Sequence, residues 1–100
     1  MPFRAVYYHL VWATKYRQPL ITPQIESRLI EIIQHKSQEL KSEIFAINTV
    51  TDHIHVAVSI SPSVAVSKWV QQVKGISTHN VNLEFPNNEH RFQWQPSYGV

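Results

Sequence analysis

The order strand, helix, strand, strand, helix, then the beginning of a strand, predicts an α+β fold. It is the ferredoxin-like, split β-α-β-β-α-(β) arrangement, an antiparallel sheet with two helices on one face. Three observations carry this. A β-branched and aromatic run opens the chain, two stretches carry apolar residues at helical spacing, and two short apolar runs are separated by only Thr51-Asp52. One hundred residues and 43% hydrophobic residues suit a single domain spanning 1–100.

Phe3 to Thr14 reads as the first strand. Alternation sets Tyr8, Leu10 and Trp12 on one face and Tyr7, His9, Val11 and Ala13 on the other. Both faces are largely apolar, so a central strand covered on both sides is expected. Thr22-Pro23 is a helix start, a cap residue followed by proline at the first helical position. Ile25, Leu29, Ile32, Ile33 and Leu40 then form an apolar stripe on a helix reaching about Lys41.

Ile44–Val50 and His53–Ile60 read as a hairpin about the Thr51-Asp52 turn. Ser61-Pro62-Ser63 stops the third strand and is placed to cap a second helix, whose stripe is Val66, Trp69, Val70, Val73 and Ile76. Gly75 lies inside that helix, at a cost of about 1 kcal/mol against alanine. Pro86-Asn87-Asn88 is a loop, and Phe92 to Val100 begins a last, incomplete strand.

The chain has no cysteine, which excludes disulfides and thiolate metal sites and points to a reducing, cytoplasmic setting. No uninterrupted apolar run is long enough to span a membrane. Two glycines leave no phosphate-cradling loop, so no nucleotide cofactor is expected. A formal charge of +2 permits an acidic partner without demanding one.

His53-Ile54-His55 is the sharpest local feature. Strand positions i and i+2 point the same way, so both imidazoles project from one face, close enough to share a cation. By itself such a pair is weak evidence, since two solvated histidines read the same way. Asp52 is adjacent and could help, although by parity it points away from the pair. His9 reads as a structural group, and His35, His79 and His90 as surface residues. Trp12 and Trp69 belong to the core, and Trp94 sits in a polar loop, open between packing and stacking.

Several stretches together carry more. They are Tyr8-His9-Leu10-Val11-Trp12-Ala13-Thr14-Lys15-Tyr16-Arg17, Asp52-His53-Ile54-His55-Val56, Val73-Lys74-Gly75-Ile76-Ser77, Phe92-Gln93-Trp94-Gln95, and the closing Tyr98-Gly99. In order and spacing the whole chain resembles the single-tyrosine HUH transposases of bacterial insertion sequences, including the REP-associated tyrosine transposases.

The resemblance implies a DNA transposition enzyme in which His53 and His55 hold magnesium or manganese over a scissile phosphate. It implies single-stranded or hairpin DNA and a second copy of the chain, in a homodimer, as partners. Apart from the resemblance, Lys15, Arg17, Lys68 and Lys74 are candidate phosphate contacts, and Lys15, Arg17 and Lys74, whose pair with Gly75 matches the family, are the expected ones. In the family the nucleophilic tyrosine lies on a helix beyond the last strand. No residue of 1–100 matches it, and Tyr98 matches a packing position. The expectation is therefore a core domain lacking the nucleophile helix, inactive alone. The alternative is a non-catalytic fragment that binds hairpin DNA or dimerises with, and modulates, a full-length transposase. An unrelated metal-dependent hydrolase would need further carboxylate or histidine ligands, and the chain offers few.

Overall fold

The structure is a computed structural model and describes residues 6–100. Phe3, Arg4 and Ala5 of the expected first strand lie outside the described residues. The elements are β1 (Val6–Ala13), α1 (Pro23–Glu39), β2 (Ser42–Val50), β3 (His53–Ile60) and α2 (Val66–Glu84), with a 3-10 turn at Lys15–Arg17. The three strands form an antiparallel sheet in the order β1-β3-β2. This is the expected α+β split arrangement.

The strand period decides the two faces. Leu10 and Trp12 of β1 and Ile54, Val56, Val58 and Ile60 of β3 are buried. They share the core with Ile25, Leu29 and Ile33 of α1 and Trp69, Val70 and Val73 of α2. Among the described residues no helix packs on the opposite face. There Tyr7 is 69% exposed, His9 is exposed, and Val11 and Ala13 are partly covered. The expectation that both faces of β1 are covered is therefore not met among the described residues, and the apolar residues on its outer face line an open surface. Its expected interior place in the sheet stands, because it lies between β3 and the C-terminal segment.

β1 does not keep a bare edge along its whole length. Gly99 N donates to Val11 O at 2.7 Å and Val11 N to Gly99 O at 3.0 Å. Gln95 N donates to Ala13 O, and Lys15 N to Gln93 O. The segment from Gln93 to Gly99 thus starts a fourth strand beside β1. A Cβ on Gly99 would lie 3.1 Å from Val11 Cγ1, so this close approach favours glycine.

Local chemistry sets the helix boundaries. Thr22 Oγ1 accepts from Ile25 N at 3.3 Å, and Pro23 occupies the first turn. Lys41, at φ 55°, turns the chain out of α1 into β2. α2 begins after Ala65 without a side-chain cap. Ser61 and Ser63 hydrogen-bond each other in the turn ahead of it, so the expected serine cap does not form.

The indoles of Trp12, Trp69 and Trp94 pack edge-to-face, with Trp12 6.5 Å from Trp69 and 5.8 Å from Trp94. Trp94 is buried, and its Nε1 donates to Ser77 Oγ at 2.9 Å. That settles it as a core residue.

Arg28 of α1 grips Glu84 of α2 through two bonds of 2.6 and 3.0 Å. The guanidinium holds the Glu84 carboxyl below its usual value. A depressed carboxylate stabilises the fold fully above its unfolded pKa, and the contribution disappears as pH falls through the folded value. Both groups are partly exposed, so the effect is small. Glu84→Gln should lower the urea midpoint slightly at pH 7 and leave it equal to the parent at pH 2. Paired urea titrations across that range check this.

Candidate metal and nucleic-acid site

The His53-x-His55 pair stands at the start of β3, just after the two-residue turn from β2. Backbone bonds fix that turn. Thr14 N donates to Asp52 O at 2.9 Å and Ile21 N to Thr51 O at 3.0 Å. The fully buried Thr14 also donates its hydroxyl to Gln18 O at 2.6 Å. The end of β1, the 3-10 turn and the hairpin are thereby locked together under the pair.

The imidazoles project from the open face, as the strand period requires. Their centroids are 5.7 Å apart with planes at 64°. Ring nitrogens ligate such ions at about 2.1 Å, so centroids up to roughly 6 Å apart can share one ion. His55 is exposed and His53 half-buried, so both are open to solvent. Among the described residues no group of three or more His, Cys, Asp or Glu converges to hold a metal. The two imidazoles are the donors available here, and they would suit a borderline divalent ion.

Asp52 departs from expectation. It lies in the turn, where strand parity does not apply, and its carboxylate is 2.9 Å from His53 Nδ1. That bond holds the Asp52 carboxyl below its usual value, helped by the charges of His53 and Arg17. A carboxylate on Nδ1 fixes the ring and leaves Nε2 as the ring nitrogen available to a ligand. The signal was the adjacency of Asp52 to His53, and only the turn geometry gives it meaning.

Arg17 sits 3.9 Å from the Asp52 carboxylate. Tyr16 and Arg17 both adopt left-handed backbone, φ 57° and 52°, unusual for such side chains. The turn thereby brings Arg17 to a small cleft of about 180 Å3 that it lines with Ala13, His53, Gln95 and Tyr98. Lys15 lies 5.5 Å over the exposed Tyr16 ring. Lys74 is placed elsewhere, on α2, where its ammonium donates to Gln95 O at 2.6 Å and Ser97 O at 2.9 Å. Burial lowers the Lys74 pKa. Of the three expected phosphate contacts, Arg17 joins the histidine pair, Lys15 is its neighbour in the turn, and Lys74 braces the C-terminal segment. His9 is exposed on the same open face, opposite Ala57 of β3, and is not enclosed as a structural histidine. His35, His79 and His90 are exposed, as expected.

Comparison with known proteins places this site in context. The family model described as "Transposase IS200 like" matches residues 3–100. The ISDra2 transposase TnpA of Deinococcus radiodurans is 26% identical over 97 residues, covering 93% of this chain and 69% of that protein. A crystal structure described as a candidate transposase from Deinococcus radiodurans R1 superposes with a TM-score of 0.88 at 26% identity, covering 98% of this chain and 78% of that one. A REP-associated tyrosine transposase, solved bound to a REP hairpin, shares the fold at a TM-score of 0.72 and 16% identity. That match covers 99% of this chain and 57% of the other.

Proposed function

Because the chain belongs to the IS200-like transposase family, we propose that it holds single-stranded or hairpin DNA against the open face of its sheet, with His53 and His55 gripping one divalent ion at a scissile phosphodiester. The observation that carries this reading is the pair of imidazoles 5.7 Å apart on a face that no helix covers. Magnesium or manganese is the proposed ion. When bound, it supplies Lewis-acid stabilisation of charge on the phosphate oxygens.

The chain's own residues do the rest. Asp52 holds the His53 ring so that Nε2 faces the substrate. Arg17, in the cleft beside His53, offers forked N–H donors to a phosphate oxygen. Lys15 and Lys74 add positive charge along the backbone path, which makes binding weaken as salt rises. As a second partner we propose another copy of the chain, in a homodimer.

Strand transfer in this chemistry needs a tyrosine hydroxyl to displace a DNA oxygen from the phosphate and conserve the ester in a phosphotyrosine bond. Among the described residues Tyr7 and Tyr8 lie on β1, Tyr16 on the 3-10 turn and Tyr98 in the C-terminal segment. None is carried by α1 or α2. We therefore propose that residues 1–100 bind DNA and position the ion, and do not cleave by themselves. Incubation with Mn2+ and a hairpin-bearing oligonucleotide, followed by a denaturing gel, tests this. A retarded complex on a native gel and no covalent adduct on the denaturing gel is the expected pair of results. An adduct at any tyrosine contradicts it.

No helix among the described residues is long and apolar enough to cross a membrane.

A further inference from the structure

We propose that the groove between α2 and the C-terminal segment is a second DNA subsite, which takes a phosphate and base of the nucleotides flanking the one at His53. This rests on the reading above that single-stranded DNA occupies the open sheet face.

The groove has a volume of about 570 Å3 and the C-terminal segment forms its far wall. Asn82 builds that wall. Its amide donates to Phe92 O at 2.9 Å and its carbonyl accepts from Phe92 N at 2.8 Å. Lys74 completes the brace through the carbonyls of Gln95 and Ser97. These bonds fix the C-terminal segment against α2 and so set the position of the groove's far wall.

Its chemistry is one-sided. Lys74, His79 and Arg91 line it together with Gln71 and Gln93, and no aspartate or glutamate does. The neighbouring groove, along α1, provides the contrast. There Arg28 and Lys36 are met by Glu31 and Glu39. Lys74 and Arg91, with no carboxylate among the lining residues, and the amide side chains beside them match a phosphodiester with a base edge to read.

Gly75 adds an independent observation. A Cβ placed on it meets nothing within 4 Å, and its φ is not positive. Neither packing nor backbone conformation requires glycine there, and glycine weakens a helix interior relative to alanine. What glycine does provide is a floor without side chain in the middle of the groove. Close approach of a ligand to a helix backbone is one of the few uses for such a residue.

The groove is also continuous with the histidine site. Gln95 and Tyr98 line both this groove and the cleft beside His53. A strand leaving the metal pair crosses Tyr98, a half-buried ring on which a base can stack, and enters the groove.

The test is fluorescence anisotropy of a labelled single-stranded oligonucleotide with the 100-residue chain in EDTA, so that the outcome does not depend on the metal. Gly75→Leu and Arg91→Glu should each weaken binding about tenfold, the scale of losing one stacked base or one charged contact. Lys36→Glu changes charge equally on α1 and should stay within about twofold of the parent. Circular dichroism melts should show Gly75→Leu at least as stable as the parent, because leucine is a better helix former. The proposal is overturned if both groove variants bind like the parent, if Lys36→Glu weakens binding as much as they do, or if the parent binds no single strand in EDTA. Failure of the metal reading shows up separately, as manganese binding that survives loss of both histidines.

Discussion

Replacing Trp69 by alanine should cost about 3–5 kcal/mol, a large share of the roughly 5–15 kcal/mol that holds a domain of this size together. Trp69 is fully buried on α2, against the sheet. Its indole stacks edge-on against Trp12. Its Nε1 donates to Ser42 Oγ at 2.7 Å, and Ser42 in turn donates to Ser37 O at 2.7 Å. One side chain thus ties α2 to the start of β2 and, through it, to the end of α1. Truncation removes the ring's burial and stacking and leaves a cavity at the centre. Trp69→Phe keeps most of the burial and loses the bond to Ser42, so it should cost markedly less. Urea denaturation of the three proteins checks the order. A Trp69→Ala midpoint close to the parent would mean that the core closes elsewhere.

The second large effect is on the metal. His53→Ala combined with His55→Ala should reduce Mn2+ affinity by about a hundredfold or more, since both protein donors of the proposed site are gone. Stability should hardly change, because His55 is exposed and His53 only half-buried. Isothermal titration with Mn2+, paired with a melt of each protein, separates loss of ligand from loss of fold. Unaltered Mn2+ affinity in the double variant would place the ion elsewhere.

Much of this architecture follows from local periodicity. His53 and His55 share a face because a strand repeats every two residues, and that face is open because Ile54, Val56, Val58 and Ile60 take the other one. The stripe of α1 and its Thr22-Pro23 start were equally legible. The cover over the outer face of β1 was misjudged because Tyr7, Val11 and Ala13 look like core residues, whereas nothing local to one strand says on which side of the sheet the helices pack. For Asp52 the adjacency to His53 was the right hint and the parity argument against it failed, because a turn residue does not obey strand parity.

The groove beside Gly75 was not legible at all. Lys74, His79 and Arg91 come together only when Asn82 folds the C-terminal segment back onto α2. The one local hint was a helix interior glycine without a turn to serve. Trp94 illustrates the same limit. It stands in a polar stretch, and only the bond to Ser77 and the contact with Trp12 reveal it as core.

The most direct measurement of the central claim is an NMR titration of the histidine ring resonances with substoichiometric Mn2+. Paramagnetic broadening of His53 and His55 first, with His35, His79 and His90 still sharp, is the result this account predicts. Broadening that begins at the surface histidines, or that leaves the β3 pair untouched, would contradict it.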